Sequence, residues 1–184
     1  MGENRVIGLT VISLVVLCGD YIKVVVDTPL ASNNIYEQQY QMHRFTTEYY
    51  KKPVAVNDIG WVSYRNNDYV LDLFGLASLE ALKYRQTTYS SDWMDILTKK
   101  HDAQLAMIYT SWFREIPPSW RLVARMHLSK TKISAAESAV RFYSLNCESL
   151  VDTYNLISQF AGTLPNGVKV ELFKVGQSEV DNCV

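Results

Sequence analysis

The sequence predicts an α/β fold, a three-layer sandwich with a mainly parallel sheet and an antiparallel edge, preceded by an apolar N-terminal segment. Three observations predict it. The short run Val54–Val56 is wholly apolar, as in strands covered on both faces. Stretches with helical periodicity alternate with such runs, as βα units require. Two later runs, 120–128 and 139–145, flank a polar segment and read as paired antiparallel strands.

The elements follow in order. Residues 6–18, VIGLTVISLVVLC, carry no charge, and apolar character continues to Val26 around Asp20 and Lys23. Thirteen residues of helix rise only about 20 Å against roughly 30 Å of hydrocarbon. The stretch therefore reads as the tail of a membrane helix, as a signal-type apolar region after Arg5, or as a buried element of the fold; its β-branched residues also suit a strand. Ile35, Met42, Phe45 and Tyr49 then fall at helical spacing, with Asn34 and Glu37 spaced as a capping box and Pro53 as the stop. After the strand at 54–56, Asn57, Asp58 and Gly60 form a turn, 61–65 has room for one or two helical turns, and 69–73 is a second strand. Residues 77–86 and a segment from Ser91 or Asp92 to His101 read as helices, and 103–112 as a third buried strand. Pro117 and Pro118 mark a loop. Residues 147–161 form an amphipathic helix stopped at Gly162, and 168–175 alternate as a last, partly exposed strand. These boundaries define an apolar segment 1–30, an α/β domain 31–176 and a polar tail 177–184.

Totals narrow the function classes. A chain of 184 residues with 48% hydrophobic and 20% charged content has the composition of one globular domain. A net charge of −1, with scattered Lys and Arg, offers nucleic acid no electrostatic footprint. The three cysteines, Cys18, Cys147 and Cys183, include no CxxC; they argue against a zinc site and a disulfide framework while leaving one Cys147–Cys183 bridge open. His43, His101 and His127 are dispersed, and no HExxH, GxSxG or GxGxxG pattern occurs, so no metal, catalytic residue or cofactor is expected.

The candidate ligand-binding residues are Asp58, Asp72, Trp112 and Trp120. Asp58 and Asp72 end neighbouring strands, where ligands of open α/β sheets collect. They form an acid pair acting on a sugar or phosphate, a cation site, or turn residues that bond to backbone amides, and the last role is the commonest. Trp112 and Trp120 flank the Pro117-Pro118 loop and offer a carbohydrate-stacking or membrane-touching rim, with ordinary packing as the alternative.

Residues 54–78, VAVNDIGWVSYRNNDYVLDLFGLAS, resemble a segment of the C-terminal extracytoplasmic domain of bacterial polyprenyl-phosphate-dependent membrane glycosyltransferases of the C-type superfamily. The shared pattern is a strand, Asn-Asp-Ile-Gly, an aromatic before a turn, then Asp-Leu-x-Gly-Leu. Residues 31–45, ASNNIYEQQYQMHRF, look like the helix leading into that domain. The resemblance implies that residues 6–19 derive from a last membrane helix and that the domain faces the periplasm. It also implies an accessory role in cell-envelope glycan or lipid-linked sugar transfer, beside a membrane-embedded glycosyltransferase-like portion or the membrane surface, with carbohydrate as a further ligand. The family's catalytic acids lie in a multispanning region that has no counterpart here, so none is carried over. Trp61 departs from the small residue expected after Gly60.

Overall fold

The computed structural model describes residues 2–173. The predicted polar tail and the end of the run 168–175 lie outside the described residues. The chain opens with α1 (Glu3–Leu17) and α2 (Gly19–Glu37), separated only at Cys18, whose N–H still bonds to the Leu14 carbonyl. The Thr10 and Thr28 hydroxyls bond back to the carbonyls of Val6 and Val24, so neither hydroxyl is left unsatisfied on the apolar helix. Val16, Leu17 and Val25 are at least 70% exposed, so this segment is no part of the core. Residues 6–26 rise about 30 Å as helix, and the segment is long and apolar enough to cross a membrane. It suggests a membrane anchor or a signal sequence.

The predicted helix start at Asn34 is overturned. Helix α2 runs straight through that position, because Asn34 and Glu37 spend their polar atoms on a distant hairpin rather than on a cap. The segment boundary placed at residue 30 accordingly falls inside α2. The chain continues through α3 (Gln39–Arg44) and a π-helical turn (Phe45–Tyr50), which ends at Lys51 with φ 50°, just before Pro53.

Strands and helices then alternate as β1 (Val54–Val56), α4 (Gly60–Ser63), β2 (Val70–Asp72), α5 (Leu79–Thr87), α6 (Asp92–Lys100) and β3 (Leu105–Ile108). A single 3₁₀ turn (Thr110–Trp112) shortens the predicted third strand. The hairpin β4 (Arg121–His127) and β5 (Ala139–Ser144), α7 (Leu150–Ala161) and β6 (Lys169–Leu172) complete the order.

The six strands among the described residues form one sheet in the order β2-β1-β3-β5-β4-β6. Only β1–β2 and β1–β3 are parallel, while β3–β5, β5–β4 and β4–β6 are antiparallel. The sheet is therefore mixed, not mainly parallel. The reason is the connection after β3. No helix separates β4 from β5, and a hairpin yields only antiparallel neighbours. Strand β5 inserts between β3 and β4, which extends the antiparallel half inward.

Alternation along the parallel strands divides the core by face. Val54, Val56, Leu105 and Met107 pack with Phe45, Phe142, Ile157 and Phe160 under α3, the π-helical turn and α7. Ala55, Leu71, Ala106 and Ile108 pack with Trp93, Met94 and Leu97 under α5 and α6. Each cluster is apolar throughout, which explains why β1 and β3 read as continuous apolar runs.

Candidate functional site

The carboxyl ends of β1, β2 and β3 lie side by side in the parallel half of the sheet. In open α/β sheets the crevice at such a switch of strand order is the usual ligand site. Here it is closed. Asn57, fully buried just past β1, donates through Nδ2 to the Tyr109 carbonyl at 3.0 Å and accepts the Tyr109 N–H at Oδ1, 3.1 Å. The Tyr109 hydroxyl donates to Gln38 Oε1 at 2.8 Å. Burial pushes this phenol well above the usual tyrosine range, and the nearby Asp58 and Glu137 carboxylates add to the shift, so Tyr109 stays protonated.

Asp72 is almost fully buried, and its carboxylate collects four backbone N–H groups. Phe74 and Gly75 donate to Oδ1, and Ala77 and Ser78 to Oδ2, the shortest at 2.6 Å. Both oxygens are thereby committed to the loop that leads into α5. Asp58 is partly exposed and accepts from Gln39 Nε2 at 3.1 Å. Among the described residues no group of three His, Cys, Asp or Glu side chains is placed to hold a metal.

The two tryptophans are not alike. Trp120 is 5% exposed, its indole N–H bonds to Asp95 at 2.8 Å and its ring tilts against Tyr143, so it presents no open face. Trp112 packs against Phe74 and Tyr109 and lines a cavity of about 320 Å³. That cavity also receives Arg85 from the last turn of α5, Tyr89 from the α5–α6 connection and Arg114 from the loop after the 3₁₀ turn. Sequence reasoning found Trp112 but not the arginines, because residues 85 and 114 share no motif and only the fold brings them together.

A second group of rings lies where α2 meets the domain. Tyr36 and Tyr40 stack at 5.5 Å, Trp61 meets Tyr40 edge-on at 5.4 Å, and Tyr64 follows at 5.6 Å. Tyr36, Trp61 and Tyr64 are each at least 40% exposed. A residue larger than expected at position 61 is thus accommodated by pointing outward, onto this surface. The signal for the helical part was present in the sequence, as Tyr36, Tyr40 and His43 recur at helical spacing.

At the same end, polar side chains join α2 to the β4–β5 hairpin. Asn34 Oδ1 accepts the Ile133 N–H at 2.6 Å, and Gln38 Nε2 donates to the Glu137 carbonyl at 3.3 Å. The Glu37 carboxylate takes both the N–H and the hydroxyl of Ser129. Burial alone would raise the Glu37 pKa, but the Ser129 and Asn33 hydrogen bonds outweigh it and hold the carboxyl below its ordinary value.

Residues 33–143 match the family described as a domain of unknown function, DUF8728. The chain belongs to the DUF8728 family. The matched DUF8728 segment begins one residue before Asn34 and so includes the α2–hairpin junction, the carboxyl edge of the parallel strands and the cavity beside Trp112. No curated protein matches the chain, and no solved structure matches it.

Proposed function

We propose that this DUF8728 chain is a non-catalytic accessory domain held at the extracytoplasmic face of a membrane. There it serves a glycosyltransferase-like protein in cell-envelope glycan or lipid-linked sugar transfer. Its partner is the membrane-embedded portion of such a protein, or the membrane surface beside it.

One observation carries this reading, the passage of the apolar helix into the fold. Exposed apolar residues extend to Val26, and about two helical turns later Asn34, Glu37 and Gln38 are buried against the β4–β5 hairpin. A membrane-length helix that ends in buried polar contacts fixes the orientation of the domain it carries. Three further points support the reading. The hydrogen bonds of Asp72 bind both of its oxygens to a loop, which favours bracing over chemistry. Cys147 is disulfide-bonded, in keeping with an oxidising compartment. The likeness of residues 54–78 to extracytoplasmic glycosyltransferase domains points to the partner class.

The test is protease accessibility in sealed cells, combined with Asp58→Asn. The domain is expected to be digested from outside while the helix stays with the membrane, and Asp58→Asn is expected to leave glycan output unchanged. A domain protected from external protease overturns the location. Sugar or phosphate turnover by the purified chain that Asp58→Asn abolishes, with folding intact, overturns the non-catalytic role.

A further inference from the structure

We propose that the cavity beside Trp112 is an anion site that takes a phosphate group carried on a sugar ring. It stands on the cleft alone, independently of the accessory-domain reading. Arg85 and Arg114 both line the cavity. Neither has an acidic partner within ion-pair distance among the described residues. Arg85 is held in place by donating to the Phe74 carbonyl and by lying over the Phe74 ring at 3.9 Å, so its guanidinium is positioned before any ligand arrives. Arg114 lies over the Tyr89 ring at 4.6 Å and is exposed. Glu115 also lines the cavity, and the lining side chains still carry a net positive charge, two guanidiniums against one carboxylate.

The ligand class follows from these groups. A guanidinium fork pairs with oxyanions through parallel N–H bonds, and two forks on one cavity suit a phosphate, which has acceptor oxygens to share between them. The Ser90 and Ser91 side chains add hydroxyl donors to the wall. A volume of about 320 Å³ exceeds what a phosphate alone fills and sits at the small end of ligand pockets. Beside Gln86, Thr88 and Met94, the wall carries the rings of Trp93, Trp112 and Phe113, and an aromatic ring suits the apolar face of one sugar.

The experiment titrates the full chain, in nanodiscs of neutral lipid, with glucose 1-phosphate, inorganic phosphate and glucose. Binding is read by tryptophan fluorescence and calorimetry, because Trp93 and Trp112 both line the cavity. Glucose 1-phosphate is expected to bind saturably, glucose not at all, and inorganic phosphate more weakly than the sugar phosphate. Arg114→Gln is expected to weaken binding at least tenfold with an unchanged unfolding midpoint, since Arg114 is exposed and, among the described residues, its side chain makes only a ring contact. A fluorescence response in nanodiscs containing phosphatidate, lost in Arg114→Gln, places the same phosphate chemistry on a lipid headgroup. Absence of a saturable response to every phosphate probe, or equal affinity in wild type and Arg114→Gln, overturns the site.

Discussion

Asn57 and Tyr109 are joined by two hydrogen bonds, of 3.0 and 3.1 Å, between one side-chain amide and the backbone C=O and N–H of one residue. The pair links the ends of β1 and β3, and it continues through the Tyr109 hydroxyl to Gln38 at the end of α2. Asn57→Ala leaves the buried Tyr109 N–H without its partner and takes one of two donors from the Tyr109 carbonyl, which keeps the Trp112 N–H at 3.3 Å. The expected cost is about 3 kcal/mol, seen as a lower denaturation midpoint in urea. A loss below about 1 kcal/mol would show that water replaces the amide and that the crevice is open.

The Asp72 loop yields a second prediction. Asn at position 72 keeps one acceptor oxygen but turns an NH₂ group toward N–H donors that now bond to Oδ2. Asp72→Asn is expected to destabilise by about 2 kcal/mol and to leave phosphate binding at the Trp112 cavity within twofold. Lost binding with unchanged stability would make Asp72 a ligand group.

Gly75 and Gly60 provide a matched contrast. Gly75 has φ +94°, and a Cβ there would lie 2.8 Å from the Leu82 backbone, whereas a Cβ on Gly60 meets nothing closer than Asp58 at 3.8 Å. Gly75→Ala is expected to cost about 3 kcal/mol through backbone strain and overlap with α5. Gly60→Ala is expected to shift stability by less than about 1 kcal/mol. Thermal unfolding of the two variants side by side checks this.

The α2–hairpin junction is expected to weaken in acid. Burial opposes ionisation of both Glu37 and Glu137. Hydrogen bonds outweigh it, from Ser129 and Asn33 to Glu37 and from Ser111 and Arg141 to Glu137, and they lower both pKa values below 4.5. A depressed carboxyl stabilises the fold above its unfolded-state pKa, and that contribution fades as pH falls through the folded-state value. The difference in unfolding midpoint between wild type and Glu37→Gln should therefore be constant at neutral pH and shrink below about pH 4.5. A difference that persists unchanged at pH 3 would assign the loss to packing.

Membrane attachment is expected to depend on the middle of the exposed apolar helix. Val15 and Val16 are 58% and 74% exposed, so changing them disturbs no core. Val15→Arg with Val16→Arg adds roughly 5–7 kcal/mol to insertion. It is expected to move the chain into the carbonate-soluble fraction with an unaltered near-UV spectrum of the domain. Retention in the membrane pellet would mean that the domain surface itself binds there.

Much of the fold was legible because its signals are local. Val54–Val56 reads as a strand from three adjacent apolar residues, and the interval 61–65, too short for a full crossover, became α4. The end of α2 was not legible. Asn34 and Glu37 have the spacing of a cap, and only the hairpin some hundred residues later shows that they serve another purpose. Sheet direction was misjudged for a related reason, since strand partners are chosen by connections and register that composition does not encode. Of the candidate site, Trp112 was legible as an aromatic beside a proline loop, while Arg85 and Arg114 were not.

The amino-acid order alone determined the alternation of strands and helices and the apolar reach of the N-terminal segment. Each depends on periodicity or on backbone preferences within a few residues. Tertiary structure decided which carboxylates are spent on backbone amides, that Trp120 is enclosed while Trp112 borders a cavity, and that two arginines line that cavity. Those outcomes depend on which distant surfaces come together to bury apolar area, and side chains far apart in sequence acquire their partners only when that burial is complete.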